Sequence, residues 1–294
     1  MTFRAGFLTF VGRPNAGKST LTNALLGEKI AITSSKPQTT RRTIRGILTR
    51  PDSQLIIVDT PGMHRPRTEL GKRLNAMVRE AISDVQVVCM CISADEPIGP
   101  GDRFISAEID ANPRARTVAV VTKTDKASKS KTAERLLEIE QLRDWDAVVP
   151  VSALQGSQLE DLVDVIESLM PESPKLYPDD MITEQVTGDR IAELIREASL
   201  EESWDELPHS IIVTVDEMVD REDGITEIFA NLWVERDSQK GIVIGQRGAR
   251  IRQIGADARR EIEALLGHQV HLQLQVKVAK EWQGDAKQLG RFGF

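Results

Sequence analysis

With 294 residues, 40% of them apolar and 28% charged, the chain is long for one domain and has material for two cores. No stretch approaches the roughly 18 to 20 apolar residues of a membrane span, and Met1-Thr2-Phe3-Arg4-Ala5 lacks the apolar block of a secretory leader, so a cytoplasmic protein is expected. The net charge of −7 argues against a nucleic-acid partner only as an average: residues 178–239 hold 4 basic and 18 acidic side chains, whereas residues 240–294 hold 10 and 5.

The first predicted strand, 3–11, contains the apolar run Phe7-Leu8-Thr9-Phe10-Val11 and runs into Gly12-Arg13-Pro14-Asn15-Ala16-Gly17-Lys18-Ser19. This G-x-x-x-x-G-K-S octet would arise by chance on the order of 0.01 times in such a chain. Its glycines let successive N–H groups point inward at a polyphosphate. The helix predicted over 18–27 adds its positive dipole end. Lys18 can reach the β- and γ-phosphates, and the Ser19 hydroxyl can ligate Mg²⁺.

Strands over 43–50 and 54–59, joined by Pro51-Asp52-Ser53, read as an antiparallel hairpin. The second ends in Asp59-Thr60-Pro61-Gly62, where Asp59 can hold Mg²⁺ through water and the Gly62 N–H can bond the γ-phosphate. A helix follows over 69–83, then a strand over 85–92. Its run Val87-Val88-Cys89-Met90-Cys91-Ile92 puts both cysteines on one face, as small buried hydrophobes rather than ligands. After a helix at 102–112, the strand 116–122 leads into Thr122-Lys123-Thr124-Asp125. A carboxylate at Asp125 can accept from guanine N1 and N2, a donor pair that adenine lacks. A helix at 130–143, a strand at 147–151 and a helix at 157–169 complete the half. Ser152-Ala153-Leu154 follows that last strand, and the Ala153 N–H can meet guanine O6. The alternation predicts an α/β domain with a mostly parallel sheet.

Three prolines within Met170–Asp180 predict an extended linker. The expected division is 1–172, a linker at 173–180, and a smaller α+β domain at 181–294. In that second half a helix is predicted over 183–202, strands over 209–219 and 225–236, helices over 239–244 and 249–266, and a strand over 268–278. The sequence Val243-Ile244-Gly245-Gln246-Arg247-Gly248-Ala249-Arg250-Ile251-Arg252 places G-x-x-G between two helices. Roughly one G-x-x-G is expected by chance in a chain with 20 glycines, so context carries the signal. Glycines admit a nucleic-acid backbone close to the loop; Gln246, Arg247, Arg250 and Arg252 offer contacts to it.

Taken in order, the phosphate loop, Asp-x-x-Gly, Thr122-Lys123-x-Asp125 and Ser152-Ala153 resemble the translation-factor class of Ras-like GTPases. With Asp59-Thr60-Pro61-Gly62-Met63-His64, the G-x-x-G half and the linker segment Lys175-Leu176-Tyr177-Pro178, the whole chain resembles the bacterial Era family, of the TrmE-Era-like class. That resemblance implies a Ras-like G domain joined to a KH domain of the second topological type. It implies a GTP/GDP- and Mg²⁺-dependent switch that hydrolyses GTP slowly, binds the 3′ end of 16S ribosomal RNA and assists assembly of the small (30S) subunit. Some members are found at the inner membrane face, and a monomer is expected. The implied nucleotide contacts run from Gly12 to Thr20 and include Asp59, Gly62, Thr122, Lys123, Asp125, Ser152 and Ala153.

Within Lys36-Pro37-Gln38-Thr39-Thr40-Arg41-Arg42-Thr43, the resemblance picks Thr40, with Thr39 next, to join Ser19 and Asp59 at Mg²⁺. It also picks Lys18, Thr40, Gly62 and Asn15 for catalysis, Asn15 matching a position that holds K⁺ in related proteins. Two positions depart from the wider pattern. Thr122 stands where the class has an Asn that bonds the base and ties its loop to the phosphate loop. Met63 stands where many Ras-like proteins use Gln to orient water, a role methionine cannot take. A nucleotide- and RNA-binding module with little turnover is therefore the alternative. An ATP-using kinase is disfavoured by Asp125, and a protein- or lipid-binding second half by the G-x-x-G context. GTP is expected to order 33–43 and 60–75 and so expose the RNA site, with the acidic stretch 178–239 shielding it in the other state.

Overall fold

The computed structural model describes residues 2–36, 38–66, 68–201 and 207–294. Pro37 and Arg67, within the two predicted switch segments, and Glu202, the predicted end of a helix, lie outside the described residues. The chain divides into two compact units: residues 1–33, 40–66 and 71–184, and residues 34–39, 67–70 and 185–294.

The first unit is built on strands β1 (Arg4–Gly12), β2 (Ile44–Thr49), β3 (Ser53–Asp59), β4 (Val87–Ser93), β5 (Arg116–Thr122) and β6 (Ala147–Pro150). Their order is β2-β3-β1-β4-β5-β6, parallel except for the β2–β3 hairpin. Helices α1 (Lys18–Leu26), α2 (Glu69–Asp84), α3 (Pro100–Ile109), α4 (Lys129–Glu140) and α5 (Leu159–Leu169) connect them. Both faces of the sheet are covered, which is why β3 and β4 read as unbroken apolar runs. One core joins Phe10, Cys89, Cys91 and Val120 to Leu21 of α1 and Ile166 of α5. The other joins Val11, Met90 and Val121 to Val78 of α2 and Ile105 of α3. Both cysteines are thus buried in one core as free thiols; burial pushes the Cys89 thiol well above its ordinary range and Cys91 to about 12. β1 pairs with β3 on one side and β4 on the other, so the loop after β1 sits where successive connections leave the sheet in opposite directions, the usual ligand crevice of such sheets.

The proline-rich segment is extended but fastened. The buried Gln54 side chain donates to Tyr177 O at 3.0 Å and accepts from the Leu176 and Tyr177 N–H groups at 2.8 and 2.9 Å. Further on, Ile47 N donates to Ile182 O at 2.8 Å, and Thr183 forms a bridge with Gly46. Here the structure corrects the expected helix at 183–202: the helix starts at Thr187, because residues 182–183 pair with the otherwise open edge of β2.

The second unit runs α6 (Thr187–Glu201), α7 (Leu207–Ser210), β7 (Ile212–Asp220), β8 (Thr226–Val234), α8 (Asp237–Ile244), α9 (Ala249–Leu266), β9 (Val270–Val278) and α10 (Ala286–Arg291). Its sheet is β7-β8-β9, antiparallel then parallel. The strand expected from 209 begins at Ile212, since Leu207–Ser210 is helical and the Ser210 carbonyl accepts from the buried Trp282 indole at 3.0 Å. The tail forms α10, which sequence periodicity does not announce; Phe292 is buried with its ring 5.6 Å from Trp233 and 5.7 Å from Trp282. Among the described residues, no helix is long and apolar enough to cross a membrane.

Candidate nucleotide site and nucleic-acid loop

The phosphate loop is shaped by backbone first. Gly17, at φ +87°, caps α1 without a side chain, and α1 has no acidic residue in its first turn. Its amino-terminal N–H groups are therefore left for an external anion. Lys18 opens the helix; its buried ammonium donates to the Gly12 and Arg13 carbonyls at 3.3 and 3.0 Å. Burial lowers its pKa, and the nearby Asp59 carboxylate opposes that shift. The turn after β3 lies on this loop: Met63 N donates to Gly12 O at 3.1 Å, and a Cβ on Gly62 would stand 2.6 Å from the Pro14 nitrogen. Asn15 is exposed on the loop at φ +63°, and Thr20 follows in the first turn of α1. Arg13 turns to Glu96 and Asp102, at 2.7 and 3.3 Å.

Three oxygens from distant parts of the sequence meet beside Lys18. Ser19 Oγ donates to Asp59 Oδ2 at 2.7 Å and lies 2.8 Å from Thr40 Oγ1. Asp59 is fully buried; the Thr22 hydroxyl and the Thr60 N–H lie near enough to favour its charge, but among the described residues its Oδ1 makes no hydrogen bond of ordinary geometry. Burial raises the Asp59 pKa from 3.8 to about 6, against the pull of the Ser19 hydrogen bond and the Lys18 charge. An unsatisfied buried carboxylate oxygen beside two hydroxyls suits a small hard cation such as Mg²⁺. Thr39 does not join them: its hydroxyl donates to Lys36 O at 2.7 Å. Met63 is buried in the hydrophobic core with Val11 and Val78, away from any role toward water.

At the carboxyl ends of β5 and β6, Ser152 Oγ donates to Asp125 Oδ1 at 2.5 Å and accepts from Gln155 N at 3.2 Å, so the carboxylate is held in place. Lys123 adopts φ +56° between them. The Thr122 hydroxyl donates to Ala16 O at 2.7 Å. Two supporting residues escaped the sequence reading. Buried Asn75 donates to His64 O at 2.7 Å, and buried Thr60 donates to Phe10 O at 2.9 Å, both steadying the segment around Gly62. The only sequence sign of Asn75 was a polar residue beside the apolar stripe Leu70, Leu74 and Val78.

In the second unit, α8 ends at Gly245 (φ +71°), residues 246–248 form a tight turn with Arg247 at φ +50°, and Gly248 (φ +75°) caps α9. Gln246 and Arg247 are exposed. Arg250 donates to Ile242 O at 3.0 Å and Arg252 to Arg247 O at 2.8 Å, so these two guanidinium groups brace the loop they flank.

The model of the 50S ribosome-binding GTPase family matches residues 7–123, and a KH-domain model matches residues 206–283. The GTPase Era of Mycolicibacterium smegmatis is 56% identical over 99% of both chains, and that of Streptomyces coelicolor 54% identical over 99% of this chain and 95% of its own. The chain belongs to the Era GTPase family. Era crystallised with MgGDPNP and nucleotides 1506–1542 of 16S ribosomal RNA superposes at a TM-score of 0.95, with 33% identity over 99% of each chain. A point variant of Aquifex aeolicus Era bound to GDP·AlF₄⁻ gives the same score, identity and coverage. As an Era-family GTPase, the chain combines a P-loop domain with a mostly parallel sheet and a carboxyl-terminal KH domain.

Proposed function

We propose that this chain is a GTP-hydrolysing switch that binds the 3′ end of 16S ribosomal RNA and assists assembly of the 30S subunit. The observation that carries the nucleotide half is the meeting of Lys18, Ser19, Thr40 and Asp59, with a buried Asp59 oxygen left unsatisfied. In this reading Lys18 neutralises the β- and γ-phosphates, the Gly62 N–H senses the γ-phosphate, and Asp125 with Ala153 reads guanine. Ser19, Thr40 and Asp59 hold Mg²⁺, which when bound neutralises charge on the phosphate oxygens. Asn15 is assigned to K⁺. Intrinsic hydrolysis is slow, because the side chain after Gly62 is buried and cannot orient water.

The RNA half rests on Gly245, Gln246, Arg247, Gly248, Arg250 and Arg252, and on the complex that a 33%-identical relative forms with 16S RNA. The proposed G domain is 1–172, the connecting segment 173–180 and the KH domain 181–294. The proposed working state is a cytoplasmic monomer; peripheral contact with the inner membrane face, which the family resemblance suggests, has no residue assigned to it. Sequencing of RNA recovered with the GTP-analogue-loaded protein is expected to return the 16S 3′ end, and recovery of unrelated RNA would overturn that assignment. Multiple-turnover phosphate release with and without small subunits separates a switch, stimulated by its target, from a module that holds nucleotide and barely turns it over.

A further inference from the structure

We infer that Thr122 gives up base recognition to hold the phosphate loop, so that this GTPase binds guanine nucleotides without reading the base at N7. The inference rests on the nucleotide-site reading above and deepens it. A threonine hydroxyl carries one proton. Here Oγ1 is buried among backbone carbonyls, 2.7 Å from Ala16 O and 3.3 Å from Ile92 O, so its proton is committed to the protein. Peptides are planar and trans, so a carbonyl and the N–H of the same unit point in opposite directions. Pinning Ala16 O toward Thr122 therefore aims the Gly17 N–H away from β5 and toward the phosphate cradle. Gly17 (φ +87°) accepts this peptide orientation without strain.

Guanine presents two acceptors on its outer edge, N7 and O6, and two donors, N1 and N2. Asp125, oriented by Ser152, addresses the donors, and the Ala153 N–H addresses O6. An amide at position 122 could satisfy Ala16 O and still offer a second proton to N7; a threonine cannot. Anchoring of the loop and reading of N7 are thus separated in this chain, and base identity is carried by the edge facing Asp125.

The test is competition against a fluorescent GDP, read as equilibrium affinity and dissociation rate rather than turnover, using GDP, 7-deaza-GDP and inosine diphosphate. The wild-type protein is expected to bind 7-deaza-GDP within about threefold of GDP. It should bind inosine diphosphate at least about fivefold more weakly, the usual effect of one lost hydrogen bond. Thr122→Asn is expected to create a preference for GDP over 7-deaza-GDP of about fivefold. Thr122→Val should weaken all three ligands by the same factor through faster dissociation, and Thr122→Ser should restore them, because Ser keeps the proton for Ala16 O. A wild-type protein that rejects 7-deaza-GDP by more than about threefold overturns the separation. Unchanged GDP affinity in Thr122→Val overturns the anchoring role. Failure of the wild-type protein to bind GDP at all overturns the underlying site assignment instead.

Discussion

Gly17 and Gly248 stand in the same place in two helices. Each caps a helix in the left-handed conformation, at φ +87° and +75°; neither supplies a capping side chain, and neither helix has an acidic residue in its first turn. Local chain physics therefore builds the same thing twice, a helix amino-terminus open to an anion. What differs is the surroundings. Around Gly17 the cation and the carboxylate are both buried, and three side chains from residues 19, 40 and 59 converge. Around Gly248 the turn residues Gln246 and Arg247 are exposed, and the arginines brace the loop from outside. In the proposed function, enclosure turns a generic anion loop into a site that selects size, metal and charge, and the open loop is left to grip a long backbone.

Substitutions that silence one loop alone should separate the two sites by the widest margin. Gly248→Asp puts a charge and a Cβ at a left-handed cap facing a polyanion; RNA binding in a filter assay is expected to fall more than about 100-fold, with GTP affinity unchanged. Lys18→Ala removes the buried cation, so GTP binding by calorimetry should weaken by about 3 kcal/mol, roughly 100-fold, while nucleotide-free RNA binding persists.

Next in size is a pH effect confined to the enclosed site. The Asp59 pKa is about 6 folded against 3.8 for the free side chain. Its charge is therefore penalised by folding above pH 6 and is absent from both states well below pH 4. Stability of the nucleotide-free protein should fall as pH rises from about 4 to 6, by up to about 3 kcal/mol from this group. Stabilisation by Mg²⁺ and nucleotide should grow over the same window. Asp59→Asn is expected to flatten that slope in denaturant unfolding and abolish the Mg²⁺ effect.

At the open loop the corresponding signature is salt. Each phosphate contact made to single-stranded RNA adds about 0.7 to the slope of log K against log salt, so Arg247→Ala should lower the slope by about that amount. The smallest effect isolates glycine strain from ligand binding. Gly27 ends α1 at φ +68° with nothing within 4 Å of a would-be Cβ. Gly27→Ala should cost about 1 kcal/mol of stability by thermal melting and leave both ligands' affinities unaltered.

Much of the enclosed site was legible because its residues come in short, ordered motifs on strand ends. Asp59 ends an apolar strand, Asp125 lies just past one, and Lys18 and Ser19 open the helix after the glycine turn that follows another; these junctions are visible in composition. Resemblance singles out Thr40 over Thr39, and the physical basis appears only in three dimensions, where Thr39 turns to Lys36 O. The bond from Thr122 to Ala16 spans 106 positions, and no local pattern encodes it. The same holds for the Ser152–Asp125 contact and for the pairing of residues 182–183 with β2, which shortened the expected helix. The six residues of α10 are too few for a periodic signal; their folding depends on Trp233 and Trp282 offering Phe292 an apolar seat.

In the proposed switch, the γ-phosphate held at Lys18 governs what the Gly245–Gly248 loop can bind. Titration of a 16S 3′-end RNA against protein saturated with either GDP or a non-hydrolysable GTP analogue reads that coupling. Affinity about tenfold higher with the analogue is the predicted result; equal affinities in the two states, with saturation of both nucleotides verified, would contradict it.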